Sequence, residues 1–278
     1  MRFLYVAMID IHCHIIPNVD DGACSLEESV GMARLAVADG IKEIVATPHT
    51  LDGVNENPVS EVLAAVNQLR KVFAAEDIPL KVHPGCEIHV TTGISRKIEL
   101  REVCTLNDGG KYALLELPSQ SIPPRMKTEI FELKLNGITP IIAHPERNVP
   151  MQNNPDLLLE MLRVGALAQL TTTSLLGDFG PFVQDLAKFF LKHRLVQLMA
   201  SDAHSADNRP PQLSQAVEEA AEILESFREA ESMVTSRPAA VLAGEEVIYP
   251  QPLTHKYQPR WNTFSVFARL WRTCFHAR

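Results

Sequence analysis

A series of histidine and acidic residues recurs along the chain, and each member of the series lies just after a short apolar run. The first pair is His12 and His14 in D-I-H-C-H, and the last pair is Asp202 and His204 in A-S-D-A-H. The complete set is His12, His14, Asp21, His49, Glu87, Glu116, His144, Asp202 and His204. Imidazole nitrogens mixed with carboxylate oxygens suit Mn, Fe or Zn better than Mg or Ca. The pattern therefore predicts a transition-metal site.

The spacing of the first histidines fits a strand. Side chains alternate between the two faces of a strand, so Asp10, His12 and His14 would share one face. Cys13 would point the opposite way, toward the helices, as a small hydrophobic residue. Two neutral imidazoles at positions i and i+2 can bind the same cation.

Single members of the set also fit other roles. Glu116, in L-L-E-L-P, is costly to bury unless a cation compensates it, but an internal ion pair with lysine or arginine would serve too. Asp21 in D-D-G-A could be a turn former, and His49 could begin a helix. His89, two positions beyond Glu87, could reach the site, but we expect a solvated loop residue. It is the whole set, in strand order, that favours metal binding.

Seven apolar, β-branched runs predict strands, and helical patterns lie between them. The predicted strands are residues 9–11, 41–46, 80–82, 113–117, 139–143, 166–170 and 195–200. The predicted helices are residues 26–37, 59–73, 127–135, 157–164, 183–191 and 215–224. Ser25 and Glu28 have the spacing of a capping box at the start of the first helix. This alternation is typical of parallel strands joined by helical crossovers.

The length of the chain fits one α/β barrel. Such barrels contain roughly 250 residues, and this chain has 278. About seven strand-helix units are enough to close, or nearly close, a TIM-like barrel. An open doubly wound sheet is the alternative, but it would spread apart the polar residues that follow six different strands. We therefore expect one barrel domain over residues 1–248 and a separate tail over residues 249–278.

Composition excludes several classes of protein. Hydrophobic residues make up 46% and charged residues 22% of the chain, which indicates a folded protein without the roughly 20-residue apolar run of a membrane span. The net charge of -8 argues against a general nucleic-acid binder. Five cysteines without a C-x-x-C pair favour a reducing cytoplasm. The first seven residues lack a signal cleavage site, and they are either a strand extension or an addition upstream of a native start at Met8.

The C-terminal tail has a different character. Its aromatic and apolar residues Phe264, Phe267, Leu270, Trp271 and Phe275 fall at helical spacing. Residues 255–278 also carry basic side chains and no acidic one. A basic aromatic helix could lie on an anionic membrane surface. The alternatives are a terminal helix packed on the barrel and a dimer contact.

These motifs carry a resemblance. From Met8 to about Glu246 the chain resembles the PHP (polymerase and histidinol phosphatase) superfamily. Within it, the chain is similar to the bacterial tyrosine-protein phosphatases of capsule and exopolysaccharide operons. The matching segments are M-I-D-I-H-C-H, D-D-G-A-x-S-L-E-E-S, A-T-P-H, G-C-E-I, H-P-E-R and S-D-A-H. As a combination they are highly specific.

The resemblance implies a distorted (β/α)7 barrel of the PHP type with three metal ions at its mouth. In that arrangement each ion has its own ligands, and Glu87 bridges two ions. The first set is His12, His14, Glu87 and Asp202, the second is Glu87, Glu116 and His144, and the third is Asp21, His49 and His204. The resemblance also implies that Arg147 and Arg209 bind the substrate phosphate. A helix-start role for Arg147 and a loop charge for Arg209 are the alternatives.

The implied activity is metal-dependent hydrolysis of phosphotyrosine on the tail of a membrane-associated bacterial kinase. Metal binding brings the pKa of water toward neutrality and clamps phosphoryl oxygens. None of the five cysteines is followed by arginine six positions later, so the C-x5-R loop of the thiol-based route is missing. A small-molecule phosphatase, such as a histidinol phosphatase, and a catalytically idle metal-binding regulator are the alternatives.

Overall fold

Parallel strands form the centre of the molecule, for which a computed structural model describes residues 7–253. The strands are β1 (Met8–Cys13), β2 (Ile41–Ala46), β3 (His49–Thr50), β4 (Lys81–Pro84), β5 (Glu87–His89), β6 (Tyr112–Glu116), β7 (Thr139–Ala143), β8 (Leu167–Thr171) and β9 (Leu198–Ala200). They form one sheet in the order β1-β2-β4 and another in the order β3-β5-β6-β7-β8-β9. Every strand pairing within these sheets is parallel. The predicted α/β class with parallel strands is therefore confirmed.

Helices follow most of the strands. They are α1 (Leu26–Asp39), α2 (Val59–Ala75), α3 (Ile94–Glu99), α4 (Met126–Leu135), α5 (Val149–Asn153), α6 (Asp156–Val164), α7 (Thr172–Leu176), α8 (Pro181–Lys192), α9 (Ser214–Leu224), α10 (Phe227–Ser232) and α11 (Ser236–Ala243). The six predicted helices are confirmed as α1, α2, α4, α6, α8 and α9. The sequence patterns missed the others because α3, α5, α7 and α10 are too short to show a period and α11 contains Pro238.

The start of α1 shows how the local sequence sets a boundary. The Ser25 hydroxyl accepts a hydrogen bond of 3.2 Å from the Glu28 N–H, which confirms the predicted cap. The Glu28 carboxylate accepts from the Cys24 N–H at 2.7 Å. At the other end, Gly40 adopts φ 101°, the left-handed conformation that closes a helix.

Two of the predicted strands are continued by a short extra strand. After β2 the chain passes through Thr47 and Pro48 before it pairs again as β3, and β4 continues in the same way as β5. Proline has no N–H with which to extend a ladder. Because of these breaks, His49 pairs with Glu87 and Glu87 pairs with Leu114. The breaks thus bring donors from neighbouring strands side by side.

Backbone contacts also join the last strand region to the first. Cys13 and Ala203 form a parallel bridge. The His14 N–H donates to the Ala203 carbonyl at 2.8 Å, and the Asp202 N–H donates to the His12 carbonyl at 2.9 Å. These bonds fix the D-I-H-C-H segment against the S-D-A-H segment, although 190 residues separate His12 from Asp202.

Buried hydrophobic residues form two clusters on opposite sides of the strands. The larger one packs the helices against the strands, and it contains Cys13, as predicted. The smaller one contains strand residues such as Ile11, Leu114 and Leu198, together with Val241 of α11. Helix α11 therefore covers the end of the strands opposite to their carboxyl ends.

The limits of the described region bear on two predictions. Residues 1–6 and residues 254–278 lie outside it, so the predicted strand extension, the upstream addition and the helical tail are not described. The Tyr249 side chain packs against the smaller cluster, and the Leu253 N–H donates to the His193 carbonyl. The division at residue 248 stays a prediction. Within residues 7–253, no helix combines the length and the apolar character needed to cross a bilayer.

Candidate metal centre

The residues predicted to bind metal and phosphate meet around one cavity of about 270 Å³ at the carboxyl ends of the strands. Seven of the nine predicted metal ligands line it, and so do Arg147 and Arg209. The remaining two, His12 and His14, are fully buried and contact the carboxylates of Glu87 and Asp202. All eleven predicted site residues are thus brought together.

The first group of donors is buried beside the cavity and consists of His12, His14, Glu87 and Asp202. The Nε2 atoms of the two histidines lie 3.2 Å apart. Glu87 Oε2 lies 3.2 and 3.4 Å from these nitrogens, and Asp202 Oδ1 lies 3.3 and 3.5 Å from them. The four donor atoms therefore point at a common centre, as ligands of one cation do.

The second group surrounds the carboxylates of Glu87 and Glu116. His144 Nε2 lies 2.7 Å from Glu87 Oε1 and 4.0 Å from Glu116 Oε1. His49 Nδ1 lies 3.2 Å from Glu87 Oε2 and 3.6 Å from Glu116 Oε2. His49 thus adjoins this group as well as the third one, to which the resemblance assigns it. His89 Nδ1 is 3.3 Å from Glu116 Oε2, so the expectation of a solvated loop histidine is wrong.

The third group contains Asp21, His49 and His204 at the outer side of the cavity. Asp21 Oδ1 lies 3.4 Å from His49 Nε2 and 3.3 Å from His204 Nε2. His14 belongs to the same set of converging atoms, and its ring centre is 3.9 Å from that of His204. The Asp21 side chain is 67% exposed, so this group is the one most open to solvent.

Unpaired atoms at the centre of these groups fit bound cations. Among the described residues, Glu87 Oε2 and His49 Nδ1 are buried but have no hydrogen-bond partner of acceptable geometry. Their mutual distance is nevertheless 3.2 Å, close enough for a hydrogen bond but not directed along one. A carboxylate oxygen and a ring nitrogen that are buried without hydrogen bonds are costly unless a cation compensates them. The donor set therefore fits divalent metal ions.

Buried partners orient the histidines from behind. The Nδ1 atom of His14 is 2.7 Å from Asp20 Oδ2, and the Nδ1 atom of His12 is 2.9 Å from Gln169 Oε1. Such bonds fix the tautomer and leave Nε2 free to bind a metal. Sequence reasoning missed both partners. The adjacent carboxylates of D-D-G were the available signal for Asp20, whereas Gln169 gave none.

Asp10 does not join the donors, contrary to the prediction that it shares a face with His12 and His14. Its carboxylate accepts hydrogen bonds from the Ser201 N–H and hydroxyl, at 3.0 and 2.5 Å. The register of β1 against β2 shifts between Asp10 and Cys13, which breaks the simple alternation. Burial raises the pKa of Asp10 to about 6 despite these hydrogen bonds. Asp10 instead ties β1 to the segment that carries Asp202.

The backbone is strained at two of the donors. His144 and Asp202 adopt φ 32° and φ 53°, a left-handed region that residues other than glycine rarely enter. The loop that carries Asp21 requires glycine at position 22, because a Cβ there would lie 2.3 Å from the His14 carbonyl oxygen. The loop carrying Asp21 can therefore approach the histidines only with glycine at this position.

The cavity keeps Glu87 and Asp202 ionised. Burial alone would raise the pKa of both carboxyl groups, but His12 and His144 hold the pKa of Glu87 well below its usual range, and Arg147 and His12 do the same for the pKa of Asp202. Burial lowers the pKa of His49, yet Asp21 and Glu87 outweigh it and raise that pKa to about 9. For His204, burial dominates and lowers the pKa. The site thus holds ionised carboxylates in a buried position where cations bind strongly.

Two arginines extend the site at its rim. Arg147 lies in a short 3₁₀ turn (Pro145–Arg147) after β7, and Arg209 lies in the loop after β9. Their Nη2 atoms donate to Asp202 Oδ2 at 2.5 and 2.7 Å. Among the described residues, the Arg209 Nε–H is buried without a partner. That donor is available to an anion in the cavity.

An α/β fold with metal donors at the carboxyl ends of its strands defines a class of metal-dependent hydrolases. Residues 8–249 match the family model described as "Capsular polysaccharide synthesis, CpsB/CapC". The chain therefore belongs to the CpsB/CapC family.

The relatives of the chain include two bacterial tyrosine-protein phosphatases. It is 42% identical over 202 residues to tyrosine-protein phosphatase YwqE of Bacillus subtilis, covering 73% of this chain and 79% of that one. It is 34% identical to tyrosine-protein phosphatase CpsB of Streptococcus pneumoniae, covering 75% and 88%.

One solved structure comes from work on YwqE of Bacillus subtilis and CpsB of Streptococcus pneumoniae, described as "unique metal-dependent tyrosine phosphatases". It superposes with a TM-score of 0.84 at 38% identity, covering 90% of this chain and 100% of that one. Histidinol phosphate phosphatase of Lactococcus lactis gives a TM-score of 0.53 at 15% identity, covering 80% of this chain and 94% of that one. That second likeness concerns the fold alone.

Proposed function

We propose that this chain is a metal-dependent protein-tyrosine phosphatase, a phosphoric monoester hydrolase. The observation that carries the proposal is the convergence of His12, His14, Glu87 and Asp202 on one point beside two arginines. Relatives named tyrosine-protein phosphatases, which align over about three quarters of the chain, support the same activity. Histidinol phosphatase activity is the weaker alternative, because the likeness to such an enzyme is limited to the fold.

The metal centre would hold three divalent ions, and Mn, Fe or Zn suit its mixed nitrogen and oxygen donors. The ligands of the three ions would be His12, His14, Glu87 and Asp202; Glu87, Glu116 and His144; and Asp21, His49 and His204. The contacts of His49 with Glu87 and of His14 with the outer group support ions that share ligands. Bound divalent ions would supply Lewis acidity and lower the pKa of water.

Arg147 and Arg209 would bind the phosphoryl oxygens. Guanidinium groups form planar, charge-assisted pairs with phosphate. Both arginines line the cavity, and the unpaired Arg209 Nε–H supports this role. The tyrosyl leaving group has a pKa near 10, so protonating it is less demanding than protonating an alkoxide.

The cysteines support a metal route over a thiol route. Of the described cysteines, Cys13, Cys86 and Cys104 are buried and Cys24 is exposed, and none lines the cavity. Burial raises the pKa of Cys86 to about 12, which disfavours the thiolate a nucleophile requires. These four thiols are free, which fits a reducing compartment such as the cytoplasm.

The fold proposed for this activity is a closed, distorted (β/α)7 barrel. Joining β2 with β3 and β4 with β5 leaves seven strand units. The Cys13–Ala203 bridge and the bond from the His14 N–H to the Ala203 carbonyl support closure between the last unit and the first. Such closure would bring donors from opposite strands to one mouth.

The proposed substrate is the phosphotyrosine tail of a membrane-associated bacterial kinase that controls capsule or exopolysaccharide synthesis. Membership of a family described by capsular polysaccharide synthesis supports this choice. The basic aromatic residues 255–278 could bring the enzyme to the membrane surface. If removing residues 255–278 leaves liposome binding unchanged, that membrane role is wrong.

The decisive experiment compares substrates and metals. Full-length protein reconstituted with Mn, Fe or Zn should hydrolyse phosphotyrosine peptides and lose this activity after chelation. Elemental analysis should find three ions per chain. A strong preference for histidinol phosphate would support the alternative enzyme, and the absence of metal-dependent phosphoester hydrolysis would indicate an idle regulator.

A further inference from the structure

Phe179 packs against both arginines of the cavity. The guanidinium carbons of Arg147 and Arg209 lie 5.1 and 5.8 Å from the centre of the Phe179 ring. Both distances fall within the roughly 6 Å over which the face of an aromatic ring attracts a cation. Phe179 is 38% exposed, so its ring lies at the rim of the site and not in the hydrophobic core.

A fixed turn holds Phe179 at this position. Gly177 ends α7 and Gly180 precedes α8, and both have positive φ, 102° and 88°. The Gly180 N–H donates to the Gly177 carbonyl at 2.9 Å. Glycines with positive φ at both ends allow the chain to reverse tightly between two helices. The ring is therefore anchored by the fold and not by a long loop.

The arginines need such a contact because their charges are crowded. Both Nη2 atoms donate to the same oxygen, Asp202 Oδ2, and two cations this close repel each other. Asp202 Oδ1 faces His12 and His14, so this one carboxylate serves several cationic or metal-binding groups. The face of an aromatic ring offers both guanidiniums a second attraction without adding a charge.

We propose that Phe179 is a positioning residue that holds Arg147 and Arg209 in the orientation that binds phosphate. This inference rests on the proposed function, since it assigns the two arginines to the phosphoryl group. The ring offers no conventional hydrogen-bond acceptor, so the Arg209 Nε–H, which has no partner among the described residues, stays available to phosphate. Ordering the arginines before the substrate arrives lowers the entropic cost of binding.

The test measures phosphate binding directly. Full-length, manganese-loaded protein is titrated with inorganic phosphate by calorimetry, and KM and kcat are measured on a phosphotyrosine peptide. Phe179→Leu keeps an apolar side chain but removes the ring. We expect phosphate to bind about tenfold more weakly, with KM raised by a similar factor and kcat changed less than about threefold. Phe179→Trp should restore both values.

The control is Phe131→Leu, the same substitution at a 54% exposed phenylalanine on α4. It should leave phosphate affinity, KM and manganese content unchanged. Should Phe179→Leu unfold or lose manganese, the tryptophan variant decides the matter. Native phosphate affinity in that variant supports the inference, and weak affinity overturns it.

Two further results would overturn positioning by Phe179. One is a phosphate affinity in Phe179→Leu within about twofold of the native value. The other is a raised KM with unchanged phosphate affinity, which would mean that the ring contacts the aryl group of the substrate. Because calorimetry requires no turnover, a chain that binds phosphate but hydrolyses no phosphotyrosine would contradict the proposed function alone.

Discussion

Polar side chains are paired differently at the two ends of the parallel strands. At the carboxyl ends, donor atoms converge on shared points, and buried atoms such as Glu87 Oε2 and His49 Nδ1 lack a partner among the described residues. At the amino ends, polar side chains instead bond to separate carbonyl groups and do not converge on a shared point. The Tyr112 hydroxyl donates to the Glu245 carbonyl at 2.5 Å, and the Asn107 amide donates to the Leu242 carbonyl at 3.0 Å.

Helix α11 and the segment after it form the covered end. Arg237 is 3% exposed, donates to the Gln197 carbonyl at 3.0 Å and pairs with Glu229. Val241 and Val247 pack into the cluster that contains Ile9 and Leu198. The contrast indicates a division of roles: the open end carries the proposed metal and phosphate sites, and the covered end stabilises the fold. Substitutions at the two ends should therefore have different consequences.

The largest effect is expected at the open end from Glu87→Gln. In the proposed metal centre Glu87 bridges two ions, which a neutral amide cannot do, so kcat/KM should fall at least about 100-fold and bound metal should decrease. Added manganese should raise the melting temperature of the native chain, because it binds the folded state, but raise that of the variant much less. Equal manganese-induced stabilisation of both proteins would rule out Glu87 as a ligand.

The next effect, at the covered end, should leave the chemistry intact. Arg237→Leu removes a buried cation from Glu229 and from the Gln197 carbonyl, and should lower the free energy of unfolding by about 3 kcal/mol. The kcat of the folded fraction should stay native. Arg34→Leu breaks an exposed pair with Glu76 and should cost less than about 1 kcal/mol. A reduced kcat in Arg237→Leu at native metal content would contradict the division.

The sequence predicts the donors better than their supports. Most donors lie in a strand or just after one. Because the carboxyl ends of parallel strands meet, local pattern is enough to gather these donors. The partners behind them depend on contacts across the fold, such as His12 with Gln169, 157 residues apart. No local pattern encodes such a pair. The breaks at Pro48 and after Pro84, and the cover formed by α11, likewise arise from packing between distant segments.

The third prediction concerns those supports. Asp20→Asn keeps the shape of the side chain but weakens its bond to His14 Nδ1, so metal affinity should fall about 10- to 100-fold. Saturating manganese should restore most of the activity, which it should not do for Glu87→Gln. Competition with a fluorescent chelator measures the affinity. An unchanged affinity would mean that His14 is oriented by β1 alone.

The smallest effect is expected from Tyr112→Phe at the covered end. The change deletes one hydroxyl that donates to the Glu245 carbonyl, and it leaves the ring, which is 5% exposed, in its cluster. The loss should be about 1 kcal/mol of unfolding free energy, measured by urea denaturation, with native metal content and kcat. Because this variant perturbs only the contact between β6 and the segment after α11, a change in metal affinity would show that the two ends are energetically linked. If the two ends are independent, the free energy of unfolding should fall while the metal affinity stays native.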